Sequence, residues 1–230
     1  MDILTGDVHG KFNRVWTLCK KLCTTRADTM VILGDAGINF YGGARDAAIK
    51  RGLKNLPLTL LCVHGAHDMR PERAGGYEEV EWRGGIVYAE PAYPYLLFAK
   101  DGEIYDIATQ KCIAVGGAYS VDKAARLERG RPWFADEQPS GEIKARVEQR
   151  LVAEGWKVDL VLSHTCPLKY EPRETSIRGA DQGGADKSTE LWLDSIEGRL
   201  AYERWYCGRY HIVKRVDRMR FLFENNKRLS

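Results

Sequence analysis

No stretch of this 230-residue chain approaches the roughly 18 to 20 consecutive apolar residues that a membrane-spanning helix requires. The N-terminus opens directly on an alternating pattern without a basic-then-apolar leader, so a cytoplasmic protein that does not engage membranes is expected. An excess of one charge sign is missing as well: 35 Lys and Arg stand against 32 Asp and Glu, a net of +3. Neither a basic nucleic-acid glove nor an acidic tail protein has that balance. The six cysteines, Cys19, Cys23, Cys62, Cys112, Cys166 and Cys207, form no C-x2-C pair, which excludes a zinc ribbon. They are too sparse for a disulfide scaffold at this size and read as small buried hydrophobes. Internal repeats and low-complexity linkers are lacking. What remains is 44% hydrophobic and 29% charged, the profile of one globular domain over 1–230 with a substantial core.

The apolar runs are short, and each is followed by Gly beside Asp or His. Met1 to Thr5 leads into Gly6-Asp7-Val8-His9-Gly10, Thr29 to Leu33 into Gly34-Asp35, and Leu58 to Val63 into His64-Gly65-Ala66-His67-Asp68. Helical spacing of Phe12, Val15, Trp16, Cys19 and Leu22, and a helix-compatible stretch from Arg45 to Leu53, separate these runs. Strand, loop and helix thus alternate as in a parallel sheet, whose ligands bind where strands end at their carboxyl side. Further on, Gly85 to Glu90, Tyr95 to Ala99, Glu103 to Ile107 and Cys112 to Gly116 predict a meander or second sheet. A helix over Gly141 to Gly155 precedes a strand from Val158 to Leu162 that ends in Ser163-His164. A helix over Ser188 to Leu200 precedes a strand from Tyr202 to Cys207 that ends in Gly208-Arg209-Tyr210-His211. Phe221 to Phe223 is expected to close the sheet, and residues at about 168–188, without periodicity, to form a lid or substrate loop.

All five histidines, His9, His64, His67, His164 and His211, lie at or beside strand ends, together with Asp7, Asp35 and Asp68. Imidazole plus carboxylate is the ligand set of Mn, Fe, Zn and similar divalent ions. Two such ions about 3.5 to 4 Å apart would clamp the attacking and leaving oxygens of a phosphate ester.

In their order, Gly6-Asp7-Val8-His9-Gly10, Gly34-Asp35, Gly65-Ala66-His67-Asp68, His164 and Gly208-Arg209-Tyr210-His211 resemble the motifs of the calcineurin-like metallophosphoesterase superfamily. The resemblance spans most of the chain. It implies an α/β fold, a two-sheet β-sandwich flanked by helices in four α/β/β/α layers. It further implies Asp7, His9 and His211 as ligands of a first ion, Asp35 as the bridging carboxylate, and His164 as a ligand of a second. His67 would be the general acid protonating the leaving alkoxide, with Asp68 orienting it. One or two ions are expected, Mn first, with Fe, Zn, Ni or Mg as alternatives, lowering the pKa of the attacking water.

Two positions depart from the pattern. Ala66 stands where the family has a second-metal asparagine, and Arg209 where it has a second-metal histidine. Natural divergence and an introduced substitution both account for Ala66. Arg209 offers a guanidinium to phosphate in place of a cation. Ile38 occupies the position of the aspartate that orients the acid in some relatives. Arg70 and Asn39, and beyond them Arg73, Tyr41, Arg173 and Arg178, are substrate-side candidates. The expected function is metal-dependent hydrolysis of a phosphate mono- or diester, with Ala66 and Arg209 as the positions expected to impair it. The alternative is a degenerate fold holding a phosphorylated ligand without turnover. A phosphorylated small molecule or nucleotide is the favoured partner, then a phosphoprotein. A nucleic acid is disfavoured, because the basic clusters Lys123, Arg126, Arg129 and Arg131, and Lys214 to Arg220, read as solvated faces.

Overall fold

The computed structural model describes residues 1–173 and 184–229. Its elements run β1 (Asp2–Thr5), α1 (Asn13–Leu22), β2 (Thr29–Ile32), α2 (Gly43–Leu53), β3 (Thr59–Cys62), α3 (Pro71–Ala74), β4 (Glu78–Trp82), β5 (Gly85–Ala89), β6 (Leu96–Ala99), β7 (Ile104–Ile107) and β8 (Gln110–Val115). Then follow α4 (Lys123–Glu128), α5 (Gly141–Ala153), β9 (Leu160–Ser163), a 3-10 turn at Leu168–Tyr170, α6 (Ser188–Glu197), β10 (Arg204–Cys207), β11 (Lys214–Val216), β12 (Met219–Phe221) and β13 (Asn226–Leu229). Among the described residues this is a mixed α/β fold with two mixed sheets and six helices. The first sheet has the order β13-β1-β2-β3-β6-β5-β4 and the second β11-β12-β10-β9-β8-β7. No described helix is long and apolar enough to cross a membrane.

Every residue of β1, β2, β3, β6 and β9 is buried, as expected of strands covered on both faces. Their side chains alternate between clusters. Leu4, Val31, Leu61 and Val63 of the first sheet share one core with Tyr105, Ala114, Leu160, Leu162 and Tyr206 of the second. Ile3, Met30, Ile32 and Leu60 turn instead to Val15 and Cys19 of α1 and Leu53 of α2. On the second sheet, Ile113, Val161 and Trp205 join Val147 and Leu151 of α5 and Leu193 and Ile196 of α6. Helix α5 starts where the Ser140 hydroxyl accepts the Ile143 amide at 3.3 Å, an N-cap that satisfies one otherwise orphaned donor.

Several expectations shift. The runs at Gly85 and Tyr95 become β5 and β6 of the first sheet, whereas those at Glu103 and Cys112 begin the second. The strand near Phe221 is β12, which lies inside the second sheet between β11 and β10. The first sheet is closed by β13, antiparallel to β1. Three of the four β13 residues are exposed, and a polar edge strand gives no apolar run to read. Of the loop at about 168–188, residues 174–183, Arg178 among them, lie outside the described residues.

Candidate metal centre

Five parallel strands, β1, β2 and β3 of the first sheet and β9 and β10 of the second, end at one place, and their loops bring Asp7, Asp35, His67, His164 and His211 together. The backbone there is unusual. His9, Asp35, Arg209 and His211 all take positive φ (49°, 49°, 61° and 51°), a conformation that costs a non-glycine residue free energy and clusters at functional sites. Two glycines make the convergence possible. A Cβ on Gly34, whose φ is +92°, would overlap the His164 ring, and one on Gly208 would overlap Asp7 Oδ1.

Asp7 is buried, and its Oδ2 lies 3.0 Å from His211 Nε2 and 3.6 Å from His9 Nε2. The two imidazole nitrogens face each other at 3.0 Å. Asp7 Oδ1 accepts the Arg209 amide at 2.8 Å, fixing the carboxylate. Burial alone would raise the Asp7 pKa, but hydrogen bonds from His211 and His9 outweigh it and hold the group well below the usual carboxylate range. The His211 ring stacks on Phe223 with centroids 4.5 Å apart. Asp35 links this triad to the next. Its Oδ2 is 4.0 Å from His9 Nδ1 and 3.2 Å from His67 Nδ1, and its Oδ1 accepts the His67 amide at 2.8 Å. Asp7, His9 and His211, and likewise His9, Asp35 and His67, each place their ligand atoms within 4.8 Å of one another.

His164 is completely buried. Its Nδ1 donates to the Leu33 carbonyl at 3.0 Å, leaving Nε2 without a hydrogen-bond partner, 3.6 Å from Asp35 Oδ1. An imidazole tethered to a carbonyl through one nitrogen and presenting a bare buried nitrogen beside a carboxylate is the arrangement of a metal ligand. These buried His and Asp groups fit a divalent cation.

His67 lies at the mouth of the centre, with Nε2 3.2 Å from Asp122 Oδ1. Burial disfavours its charged form, but Asp35 and Asp122 prevail and raise its pKa to about 9. Asp68 does not reach the ring. Its carboxylate accepts the Ala36 and Gly37 amides, each at 3.1 Å, so it braces the Asp35 loop, and the His67 Nε2 faces Asp122 instead. Ala66 is buried and its carbonyl accepts the Ser120 hydroxyl.

The substrate-side candidates mostly turn elsewhere. Arg70 is buried and donates to Asp101 Oδ2 at 2.7 Å and the Asp136 carbonyl at 2.9 Å, so it ties the fold together and is not free for a ligand. Asn39 is buried with its Oδ1 accepting the Tyr77 hydroxyl. The Arg209 guanidinium donates to the Tyr119 carbonyl at 2.8 Å and sits 3.9 Å from the buried Glu190. His64 packs against Gly116 and joins neither ligand triad. Arg73 is exposed beside Asp136, and Arg173 is exposed.

Three features were missed. Asp122 lies in the loop beyond β8, another parallel strand ending toward the centre, so the strand-end rule applied there would have found it. Arg126 of α4, expected on a solvated face, is only 3% exposed. It donates to the Ser120 hydroxyl at 3.1 Å, while its Nε and second terminal nitrogen have no partner. Finally, a cleft of about 340 Å³ opens beside His9 and His67, walled by Phe40, Tyr41 and Arg45, with Arg45 stacked 3.3 Å over the Tyr41 ring.

No protein-family model matches this chain, and no curated protein matches it in sequence.

Proposed function

We propose that the protein is a metal-dependent phosphoesterase of the calcineurin-like type, acting on a phosphorylated small molecule or nucleotide. The observation that carries this reading is the bare, fully buried Nε2 of His164 facing Asp35, the carboxylate shared by the strand-end loops. The sharing of one core between the sheets, with helices packed on their other faces, is compatible with the α/β/β/α layers of that superfamily. Asp7, His9, His211 and Asp35 would hold a first divalent ion, with Mn the leading choice, and Asp35 with His164 a second. When bound, such an ion supplies Lewis acidity and a water of lowered pKa.

The chain's own groups do the rest. His67, 28% exposed at its side chain and lining the cleft, carries a proton held between Asp35 and Asp122 and is set to pass it to a leaving alkoxide. Phe40, Tyr41 and Arg45 offer an aromatic and cationic wall to the ester's organic part. A second reading, a binder without turnover, is favoured by one observation: neither Ala66 nor the tethered Arg209 supplies a ligand to the second position. Hydrolysis of p-nitrophenyl phosphate and its bis ester with added Mn separates the two. Turnover of either ester, abolished by His211→Ala, supports the enzyme. Mn binding without turnover of these or of a panel of phosphorylated metabolites supports the binder.

A further inference from the structure

A second polar cleft, of about 260 Å³, lies at the far end of β10 from the metal-ligating loops. It is formed where β10, β11 and β12 of the second sheet meet β13 of the first, and its charged lining is all of one sign: Arg204, Arg215, Arg220, Lys227 and Arg228. Strand register explains the concentration. Arg220 pairs with Tyr206 across the β10–β12 ladder and with Arg215 across the β11–β12 ladder, so the three stand side by side. None of the five cations forms an ion pair with a carboxylate among the described residues. Like charges held this close repel, and Arg220 shows it: burial first, then Arg215 and Arg204, lower its pKa.

The floor of the cleft gives the independent sign of a ligand. Tyr206 is 1% exposed, and no acceptor is in hydrogen-bond geometry with its hydroxyl. Burial raises its pKa while Arg204 and Arg220 act in the opposite sense, Arg204 partly through a side-chain hydrogen bond, so the groups nearest the hydroxyl are donors and its own proton has no acceptor. A buried tyrosine hydroxyl proton without an acceptor costs free energy that an acceptor in the cleft would recover. A merely solvated basic face would not bury it.

We propose that this cleft binds a small polyanion of the oligophosphate class, with Arg204, Arg215 and Arg220 on its phosphate oxygens and the Tyr206 hydroxyl donating to one of them. Guanidinium forks suit phosphate oxygens, and the volume lies just below the usual range for ligand pockets, which favours a compact anion over a polymer. This site is independent of the phosphoesterase reading.

Calorimetric titration with inorganic tripolyphosphate, in chelator so that the His and Asp centre holds no ion, tests it. Saturable binding at one site is expected, weakened at least tenfold by Arg215→Ala with Arg220→Ala and several-fold by Tyr206→Phe. The phenylalanine keeps the ring and its packing, and unchanged thermal melts confirm that each variant folds. Absence of saturable binding overturns the proposal. So does binding that Tyr206→Phe leaves untouched, or a single-stranded oligonucleotide that binds tighter than tripolyphosphate, which would mark a nucleic-acid surface instead.

Discussion

Asp122 Oδ1 lies 3.2 Å from His67 Nε2, joining residues 55 apart in sequence from loops on different sheets. On the proposed phosphoesterase reading, this supplies from beyond β8 the carboxylate that Ile38 does not provide. Asp122→Asn keeps the size and removes the charge that steadies the imidazole. Loss of roughly 10- to 100-fold in kcat is expected for an alkyl phosphate, whose alkoxide needs a proton to leave. p-Nitrophenyl phosphate, with a good leaving group, should suffer far less. Equal losses on both esters would show that Asp122 only supports the loop.

On the same reading, the second metal position can be rebuilt. With Ala66→Asn and Arg209→His together, two further ligands would join Asp35 and His164, and the Arg209 cation would leave the vicinity of Asp35. Elemental analysis after loading with Mn and desalting should show bound ion rising from about one per chain to about two. Stoichiometry unchanged in the double variant would mean that His164 does not ligate.

Much of this centre was readable from the chain because strand-end motifs are local. An apolar run and the Gly-Asp or Gly-x-His after it occupy consecutive residues, and parallel strands carry them to one place; hence the convergence of Asp7, His9, Asp35, His164 and His211 could be expected. Arg70 was not understood, because its partners Asp101 and Asp136 lie at least 31 residues away and are set by tertiary packing. The contact between Asp122 and His67 was not legible for a similar reason. Adjacency to His67 suggested Asp68, yet consecutive side chains diverge, and Asp68 turns to the Ala36 and Gly37 amides. The edge strands β4 and β13 escaped notice because their residues are mostly exposed and polar.

Gly34→Ala tests the close approach of the two sheets. The added methyl would overlap the His164 ring, and φ of +92° is already unfavourable for alanine. Destabilisation of about 1–3 kcal/mol is expected from denaturant melts, with weakened Mn binding as the imidazole is pushed from Asp35. A variant with native stability and metal affinity would show that the loops have room to relax.

His64 should make stability fall in mild acid. Burial, then Arg70, then His164, push its pKa well below the usual 6.5, so the folded protein keeps this imidazole neutral. Above pH 6.5 the ring is neutral in both states and contributes no pH dependence. Below it the unfolded chain takes up a proton that the folded chain refuses, and stability declines by up to about 1.4 kcal/mol per pH unit until the folded pKa is reached. His9 and His67, whose pKa values are raised, act in the opposite sense, so the comparison must be with a variant. Urea melts at pH 7.5 and 5.5, in chelator, should show a smaller drop on acidification for His64→Gln than for the native chain. An identical drop in both would mean that His64 takes up its proton inside the fold and that Arg70, held by Asp101, does not exclude it.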